Sequence, residues 1–377
     1  MAELDLAEAS DVLKYLSSTP FASSRVEMLS GGNANYTYRL FLEEPSSASG
    51  GFPTVVMKHS KAWSRTSRSF ELKIARQEIE AFALQRVRAI LDAASPSIVT
   101  VPTVFLYDPT HAVIIMEDAG ENSETLKSLL RRTSLLHANL TQLCADLGRF
   151  LATIHNHGSA DAELMSKVGT NEQMRWITAW ITYEGVLPIL KGEGPYAGVV
   201  SPALDLPSAD LERLASLCKT RIAQVYAAAD TFTMGDFWTG NVICRLNPLS
   251  GQVEKAFVVD WEVAKPGVPF LDWGQLAAEL YTIGCFHPAR AAEIGVGLDA
   301  YGRAYRDARE SGVDEEFVRG AESHVGAHLA VITPTVTGWG TKEEVREVVK
   351  KGTEFMLKGL DGDIEWLKTS VVSGLAQ

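Results

Sequence analysis

Clusters of basic residues, long apolar runs and paired cysteines are all missing from this chain of 377 residues. Lysine and arginine number 35 against 47 aspartates and glutamates, which gives a net charge of −12. Because clustered cations that displace counterions dominate the binding of a polyanion, we expect neither a nucleic-acid partner nor a polybasic contact with a membrane. No apolar run approaches the ~18 residues of a membrane span.

The four cysteines are scattered along the chain without a C-x-x-C pair, and the acidic N-terminus lacks the apolar segment of a signal peptide. Both features are typical of a protein with reduced thiols, so we expect it to be cytoplasmic. The apolar fraction of 46% is ample for a packed core, and the length favours two lobes over one.

Common active-site motifs are missing as well. The chain has no G-x-x-x-x-G-K-[ST] phosphate loop, no G-x-G-x-x-G after a predicted strand and no G-x-S-x-G around a nucleophilic serine. His324 and His328 are one helical turn apart, but no glutamate adjoins His324 and no third ligand is indicated. A zinc site is therefore not predicted.

One group of oxygen-bearing side chains has the pattern of a phosphoryl-transfer site. Asp236 is followed five residues later by Asn241, and a short predicted hairpin leads to Asp260 and Glu262. The first carboxylate can accept a hydroxyl proton, while an asparagine oxygen and a second carboxylate can hold Mg²⁺ against a nucleoside triphosphate. The pattern predicts a small-molecule kinase with Asp236 as base, Asn241 and Asp260 as metal ligands, and Glu262 as outer ligand or loop support.

These residues resemble the Gly-Asp-x-x-x-x-Asn and Asp-x-Glu motif of the family of aminoglycoside phosphotransferases and choline kinases. Other segments are similar to its nucleotide loop (29–39), lysine strand (55–58), hinge (114–120) and central helix (147–155). The resemblance covers roughly residues 25 to 290. It is greatest to the fungal methylthioribose kinase-like branch, which includes 4-hydroxytryptamine kinase.

The resemblance implies an α+β, bilobal, protein-kinase-like fold with a small five-stranded antiparallel N-lobe and a larger helical C-lobe. The expected divisions are 1–116 for the nucleotide-binding lobe, 117–121 for the hinge and 122–377 for the helical catalytic and substrate lobe. Hydrophobic periodicity predicts helices that include 5–17, 70–90, 123–130, 173–186 and 341–371.

The resemblance also implies nucleotide contacts, with ATP and Mg²⁺ as cofactors. Lys58 ends a predicted strand, where its ammonium group would reach phosphates if a carboxylate of the next helix held it. Glu80 has the family spacing E-x-x-x-L-x-x-V, and Glu78 is the alternative. The other implied contacts are positions of the phosphate loop and the adenine pocket: Ser30, Gly31, Gly32, Asn33, Asn35, Val56, Glu117 and Ala119.

The acceptor is expected to be a small-molecule alcohol. Aromatic residues on the segments around the expected cleft can stack on an aromatic or amine-bearing molecule, and these are Trp238, Trp273, Tyr281 and Trp339. The resemblance narrows the acceptor to a hydroxytryptamine-like amine or a methylthioribose-like sugar. The sequence carries no indication of the oligomeric state.

One departure from the family keeps an alternative open. The family usually has histidine before the Gly-Asp pair, where this chain has Met234, whose thioether scarcely forms hydrogen bonds. A catalytically reduced nucleotide-binding or scaffold protein would fit that change, although the intact lysine, aspartates and asparagine favour an enzyme. A protein kinase is disfavoured, because the H-R-D, D-F-G and A-P-E signatures are absent.

Overall fold

A computed structural model describes residues 4–132, 140–194 and 198–377. The first lobe is built on a five-stranded antiparallel sheet in the spatial order β1-β2-β3-β8-β7. Its elements are α1 (Ala9–Leu16), β1 (Ser23–Met28), β2 (Tyr36–Leu42), β3 (Thr54–His59), β4 (Trp63–Ser64), β5 (Ser67–Glu71), α2 (Arg76–Ala93), β6 (Val99–Thr100), β7 (Val104–Asp108) and β8 (Val113–Glu117).

Strand β8 shows how this sheet is covered on both faces. Successive side chains of a strand point to opposite faces, and every residue of β8 is buried. Val113 and Ile115 pack in the cluster that contains α1, whereas Ile114 and Met116 pack in the cluster that contains α2. Strand β8 therefore lies between the two helices with both of its faces covered.

The second lobe is mainly helical. Its elements are β9 (Ser123–Thr125), α3 (Leu126–Arg131), α4 (Leu140–Ala160), α5 (Ala162–Gly169), α6 (Glu172–Ala179), α7 (Val186–Lys191), α8 (Ser208–Ala227), β10 (Thr231–Thr233), β11 (Val242–Leu246), β12 (Val253–Val258), β13 (Lys265–Gly267), α9 (Pro269–Phe286), α10 (Ala291–Ala308), α11 (Glu315–Thr335), α12 (Lys342–Asp361), α13 (Ile364–Leu367) and α14 (Ser373–Ala376). Helix α4 packs against α10, and α9 packs against α11.

Strand β11 pairs antiparallel with β12, with Val242 opposite Val258, and β10 pairs antiparallel with β13, with Thr231 opposite Gly267. These two pairings hold the segment between β10 and β11 beside the segment between β12 and β13. Helices α11 and α12 cross at a pair of glycines, where a Cβ on Gly326 would lie 2.5 Å from the carbonyl oxygen of Gly352. The fold confirms the predicted bilobal α+β class.

Several predicted element bounds were wrong. The helix predicted over 70–90 begins at Arg76, because 63–71 forms a hairpin instead. The helix predicted over 123–130 begins as strand β9, and the one over 173–186 is interrupted by a π-helical turn at Trp180–Glu184. The helix predicted over 341–371 breaks at Gly362, whose φ of +69° is left-handed. The division into lobes at 117–121 stays a prediction.

Among the helices of the described residues, none combines the length and apolar character that crossing a bilayer requires.

Candidate active site

The segment between β10 and β11, residues 234–241, carries the predicted base Asp236 and the predicted metal ligand Asn241, and we call it the catalytic loop. Its end is held by a hydrogen bond from the Val259 N–H to the Asn241 carbonyl at 2.9 Å. Gly235 has a left-handed φ of +78°, and the place of its absent Cβ is taken by the ammonium group of Lys265. A side chain at position 235 would be both strained and crowded.

The orientation of this loop comes from a buried carboxylate on α9. The backbone N–H groups of Met234 and Gly235 donate to the two carboxylate oxygens of Asp272 at 2.7 and 2.8 Å. His155 lies against the same carboxylate, with 3.3 Å between Nε2 and Oδ2. Because Asp272 accepts hydrogen bonds from the backbone of the loop, the loop does not need a hydrogen-bonding side chain at position 234, and Met234 packs in the core.

The carboxylate of Asp236 is fixed by two amide groups. Gln275 Nε2 donates to Oδ1 at 2.8 Å, and Asn241 Nδ2 donates to Oδ2 at 2.9 Å. Burial, helped by the negative charge of Asp260, raises the pKa of Asp236 to about 7. A carboxyl group with a pKa near neutral and a fixed orientation is suited to proton transfer.

Lys58 lies between two carboxylates. Its ammonium group donates to Glu80 at 2.7 Å and forms an ion pair with Asp260. Burial opposes the charge, but the two carboxylates outweigh it and hold the pKa of Lys58 above its ordinary value. Of the two candidate partners, the structure pairs Glu80 with Lys58, while Glu78 contacts Lys167 at 2.6 Å.

The carboxylates around Lys58 have the spacing of a metal-ion site. Carboxylate oxygens of Glu80, Asp260 and Glu262 lie within 4.8 Å of one another. Asn241 donates through Nδ2 to Asp236, and its Oδ1 accepts no hydrogen bond from the part of the chain that the structure describes. Asp260 has a left-handed φ of +70°. This conformation is uncommon for a residue other than glycine and is often found at functional sites.

Glu262 is held by residues of the first lobe. Its Oε2 accepts from Asn35 Nδ2 at 2.7 Å and from Arg76 Nε at 3.0 Å. Asn35 Oδ1 in turn accepts from Ser60 at 2.7 Å and from Arg76 Nη2 at 2.9 Å. The side chain of Asn35, predicted to contact phosphate, is therefore committed to this network, which we call the interlobe clamp (Asn35, Ser60, Arg76 and Glu262).

The glycine loop between β1 and β2 is held by hydrogen bonds from the hairpin of β4 and β5, which was not predicted from the sequence. Arg65 Nη2 donates to the Gly32 carbonyl at 3.0 Å, and Ser64 Oγ donates to the Asn33 carbonyl at 2.7 Å. Gly31 and Gly32 have left-handed φ values, and a Cβ added at either residue would meet no atom within 4 Å. Within the described residues, no backbone N–H of residues 30–34 donates a hydrogen bond, so these groups are free to contact phosphate.

Strand β8 ends in Glu117, which is followed by Asp118, and both of these buried carboxylates are held by cations. Glu117 accepts from Lys255 at 3.0 Å and from Arg88 at 3.2 Å, so its side chain is committed to these cations, and its backbone N–H donates to the Thr103 carbonyl at 2.8 Å. Asp118 receives a bidentate pair of bonds from Arg39 at 2.6 and 3.0 Å. These ion pairs fix the backbone that leads to Ala119, and Val56 lies opposite Met116 on the neighbouring strand.

The four aromatic residues predicted around the acceptor do not lie together. Trp238 and Trp339 flank the ammonium group of Lys127, with ring centroids 4.8 and 4.4 Å from Nζ. Trp273 is fully buried and stacks on Tyr301 in the core. Tyr281 packs on Phe355 and lines a separate cavity on the far side of α9. The structure therefore leaves Trp238 and Trp339 near the catalytic loop.

Sequence reasoning missed four residues that hold the site: Arg76, Lys127, Asp272 and Gln275. Asp272 had a usable signal, since it follows Asp260 by twelve residues at the start of a predicted helix. Arg76, Lys127 and Gln275 meet their partners only through tertiary contacts, and no local spacing marks them.

Residues 26–311 match the model of the phosphotransferase enzyme family. Because this match spans most of the chain, the protein belongs to that family. The predicted resemblance is confirmed, and the protein is a small-molecule kinase.

Relatives that match over almost their whole length agree with this assignment, and a solved structure has a similar fold. The chain is 29% identical over 363 residues to a 4-hydroxytryptamine kinase of Psilocybe cyanescens, covering 93% of this chain and 92% of the relative. It is 26% identical over 360 residues to a 4-hydroxytryptamine kinase of Psilocybe cubensis, covering 92% of each. A choline kinase structure from Cryptosporidium parvum has a similar fold, with a TM-score of 0.54 at 10% identity over 98% of this chain and 100% of that one.

Proposed function

We propose that this protein transfers the γ-phosphoryl group of ATP to the hydroxyl group of a small aromatic amine, with Mg²⁺ as cofactor and Asp236 as base. The observation that carries the proposal is the convergence of Asp236, Asn241 and the Lys58–Asp260 ion pair between the two lobes. These groups come from the catalytic loop, from the turn after β12 and from β3.

Each of these groups has a distinct part in the transfer. The acceptor hydroxyl gives its proton to Asp236, its oxygen bonds to the γ-phosphorus, and the bond from that phosphorus to the bridging oxygen breaks to release ADP. Asn241 and Asp260 would hold the metal ion, which would supply positive charge to the phosphate oxygens. Lys58, held by Glu80, is assigned to the α- and β-phosphates.

The remaining nucleotide contacts follow from backbone positions. The free N–H groups of Ser30, Gly31, Gly32 and Asn33 are assigned to the phosphates. The adenine is assigned to the side chain of Val56 and to the backbone of Glu117 and Ala119. Asn35 and Glu262 support the site through the interlobe clamp rather than by direct contact.

The acceptor assignment is supported by the two relatives named for 4-hydroxytryptamine. Trp238 stands two residues beyond the base, and Trp339 faces it across Lys127. Two indole rings, one of them on the loop that carries the base, suit a flat aromatic acceptor better than a sugar.

The test is a coupled assay of ADP release with ATP, Mg²⁺ and 4-hydroxytryptamine, with mass detection of the phosphorylated product. Asp236→Asn should bind ADP as the wild type does but turn over about 10²-fold more slowly or worse, because the base is lost. Asp307→Asn, an exposed aspartate on α10, is the matched control and should behave as the wild type. Normal turnover in Asp236→Asn would refute the assigned base, and the absence of a phosphorylated product would refute the activity on this acceptor.

A further inference from the structure

The ammonium group of Lys127 lies beside the catalytic loop among Trp238, Trp339 and Glu279, which we call the compartment. It lies 4.8 Å from the ring centroid of Trp238 and 4.4 Å from that of Trp339. On a third side it forms an ion pair with Glu279, at 3.3 Å between Nζ and Oε2. Two indole rings and a carboxylate are the surroundings that favour an alkylammonium ion.

The carboxylate of Glu279 is built to carry a charge. Glu279 is 4% exposed. Its Oε2 accepts a hydrogen bond from Thr239 Oγ1 at 3.2 Å, and its Oε1 lies 3.2 Å from His328 Nε2. Burial opposes ionisation, but the contacts with His328 and Lys127 outweigh it and hold the pKa of Glu279 below its ordinary value. A buried carboxylate that stays ionised requires a cation beside it.

The compartment lies at a suitable distance from the base. Gln275 and Glu279 are four residues apart on α9, so they share one face about one helical turn, ~5.4 Å, apart. Gln275 binds the carboxylate of Asp236, and Glu279 binds the ammonium group of Lys127. A molecule whose hydroxyl group meets Asp236 and whose cation lies about one helical turn away, ~5.4 Å, can therefore place that cation at Glu279.

We propose that Glu279, Trp238 and Trp339 form the subsite for the ammonium group of the acceptor, and that Lys127 fills this subsite until the acceptor displaces it. The proposal rests on the proposed function for the hydroxyl end of the acceptor. Lys127 stands on the six-residue helix α3, and its side chain is 17% exposed. Its flexible four-carbon stem lets the ammonium group turn towards solvent without a change in the backbone.

The exchange preserves the charge of the compartment. One alkylammonium ion replaces another against a single carboxylate, whereas two cations together would leave one without a partner. Lys127 thus competes with the acceptor and selects for molecules that can replace its charge. An acceptor with an anionic end would instead require Lys127 in place, so removal of this lysine has opposite effects in the two cases.

The experiment measures binding of tryptamine, which has the ammonium group but no hydroxyl group and cannot accept phosphate. Titration calorimetry compares the wild type with Lys127→Ala, and N-acetyltryptamine serves as the uncharged ligand. Removing the competing lysine should tighten tryptamine binding by about tenfold, in line with a cation–π contact and an ion pair. Binding of N-acetyltryptamine should change less than twofold.

Two further variants sharpen the comparison. Lys351 is a matched control, because it also has a carboxylate partner and lies 5.4 Å from a phenylalanine ring, but it stands on α12 away from the catalytic loop. Lys351→Ala should therefore not change tryptamine binding. Lys127→Met keeps an apolar chain between the indoles and should shift binding in the same direction as Lys127→Ala. Unchanged or weaker tryptamine binding in both Lys127 variants would overturn the proposal.

Binding of tryptamine separates this inference from the kinase assignment. Tighter binding in Lys127→Ala supports the ammonium subsite even if 4-hydroxytryptamine is not phosphorylated, in which case the proposed function fails alone. Phosphorylation of 4-hydroxytryptamine with no gain of tryptamine binding would keep the proposed function and refute the subsite.

Discussion

Met234 and Asp272 together show how this chain departs from its family at one residue without losing the catalytic loop. The loop is held through its backbone N–H groups, and these exist whatever side chain stands at position 234. A buried carboxylate that accepts two such bonds fixes a loop as firmly as a side-chain contact. The substitution by methionine is therefore compatible with an active enzyme, and the scaffold alternative loses its one supporting feature.

Glu80 and Glu78 offer a matched pair for testing the lysine that we assign to the phosphates. Glu80 is buried and bonded to Lys58, whereas Glu78 lies at the surface with Lys167. In Glu80→Gln the ammonium group of Lys58 loses one of the two carboxylates that it contacts among the described residues, so we expect it to move from the position that we assign beside the phosphates. The KM for ATP should rise about tenfold, since a charge-assisted bond contributes roughly 1.5–3 kcal/mol.

Glu78→Gln should leave the KM for ATP unchanged, because an exposed ion pair contributes roughly 0–1 kcal/mol. Steady-state kinetics at saturating acceptor would measure both values. An equal effect of the two substitutions would show that the contact between Lys58 and Glu80 has no part in nucleotide binding.

At the scale of secondary structure, prediction succeeded where apolar periodicity was strong and failed where tertiary contacts decided. Strands β3 and β8 were recognised because β-branched residues fill them between turn signals. The hairpin of β4 and β5 was missed, because its residues are polar and it is held by contacts with the glycine loop. The break at Gly362 had a local signal, a glycine after a long helical pattern, which the periodicity of the flanking residues obscured.

The same division applies to the candidate site. Asp236, Asn241 and Asp260 were predicted from spacing, because each lies on a short connection whose neighbours in the sequence fix its geometry. Arg76 and Lys127 reach the site from elements more than 100 residues away from their partners Glu262 and Glu279. A single sequence contains no pattern that joins such pairs.

Helix α11 buries a carboxyl group that makes the stability of the second lobe depend on pH. Glu322 is 0% exposed, accepts one bond from Ser370 at 3.0 Å, and has no partner for Oε1 among the described residues. Burial raises its pKa from 4.5 to about 8. The folded state therefore keeps a proton that the unfolded chain releases, so this contribution to stability is complete below pH ~4.5 and is lost as pH rises through about 8.

Glu322→Gln removes this dependence, because the amide stays neutral and still accepts a bond from Ser370. We expect the urea midpoint of the variant to fall less than that of the wild type between pH 5 and pH 8, with a difference in unfolding free energy of roughly a few kcal/mol. Glu316→Gln, an exposed position on the same helix, is the control and should follow the wild type. Parallel pH profiles for wild type and Glu322→Gln would contradict the assignment.

At the scale of the whole molecule, polar and aromatic bridges join the two lobes around the proposed nucleotide site. The interlobe clamp places Arg76, at the start of α2, against Glu262, two residues beyond the proposed metal ligand Asp260. Phe70 of the β5 hairpin stacks on Trp180 of the π-helical turn at a centroid distance of 6.1 Å, and Gln173 bonds to the backbone of Lys73 at 2.8 Å. Because the clamp adjoins both the glycine loop and Asp260, its integrity should affect stability and nucleotide binding together.

Arg76→Met tests this connection, with Arg86→Met as a control on the same helix. Both arginines reach a carboxylate of the second lobe, but Arg76 has a side chain that is 1% exposed and Arg86 one that is 41% exposed. Loss of Arg76 leaves the buried carboxylate of Glu262 without its cation, so the unfolding free energy should fall by roughly 3–5 kcal/mol. Loss of Arg86 should cost no more than about 1 kcal/mol.

The two variants should differ in ligand binding as well as in stability. Without Arg76, Glu262 and Asn35 are no longer held together, so the turn that carries Asp260 loses its anchor on the first lobe. We expect the affinity for ADP with Mg²⁺, measured by calorimetry below the unfolding transition, to fall about tenfold in Arg76→Met and to stay unchanged in Arg86→Met. Equal stability and equal ADP affinity in the two variants would show that the clamp contributes measurably neither to the unfolding free energy nor to nucleotide binding. The apolar core and the aromatic stack would then be sufficient to join the lobes.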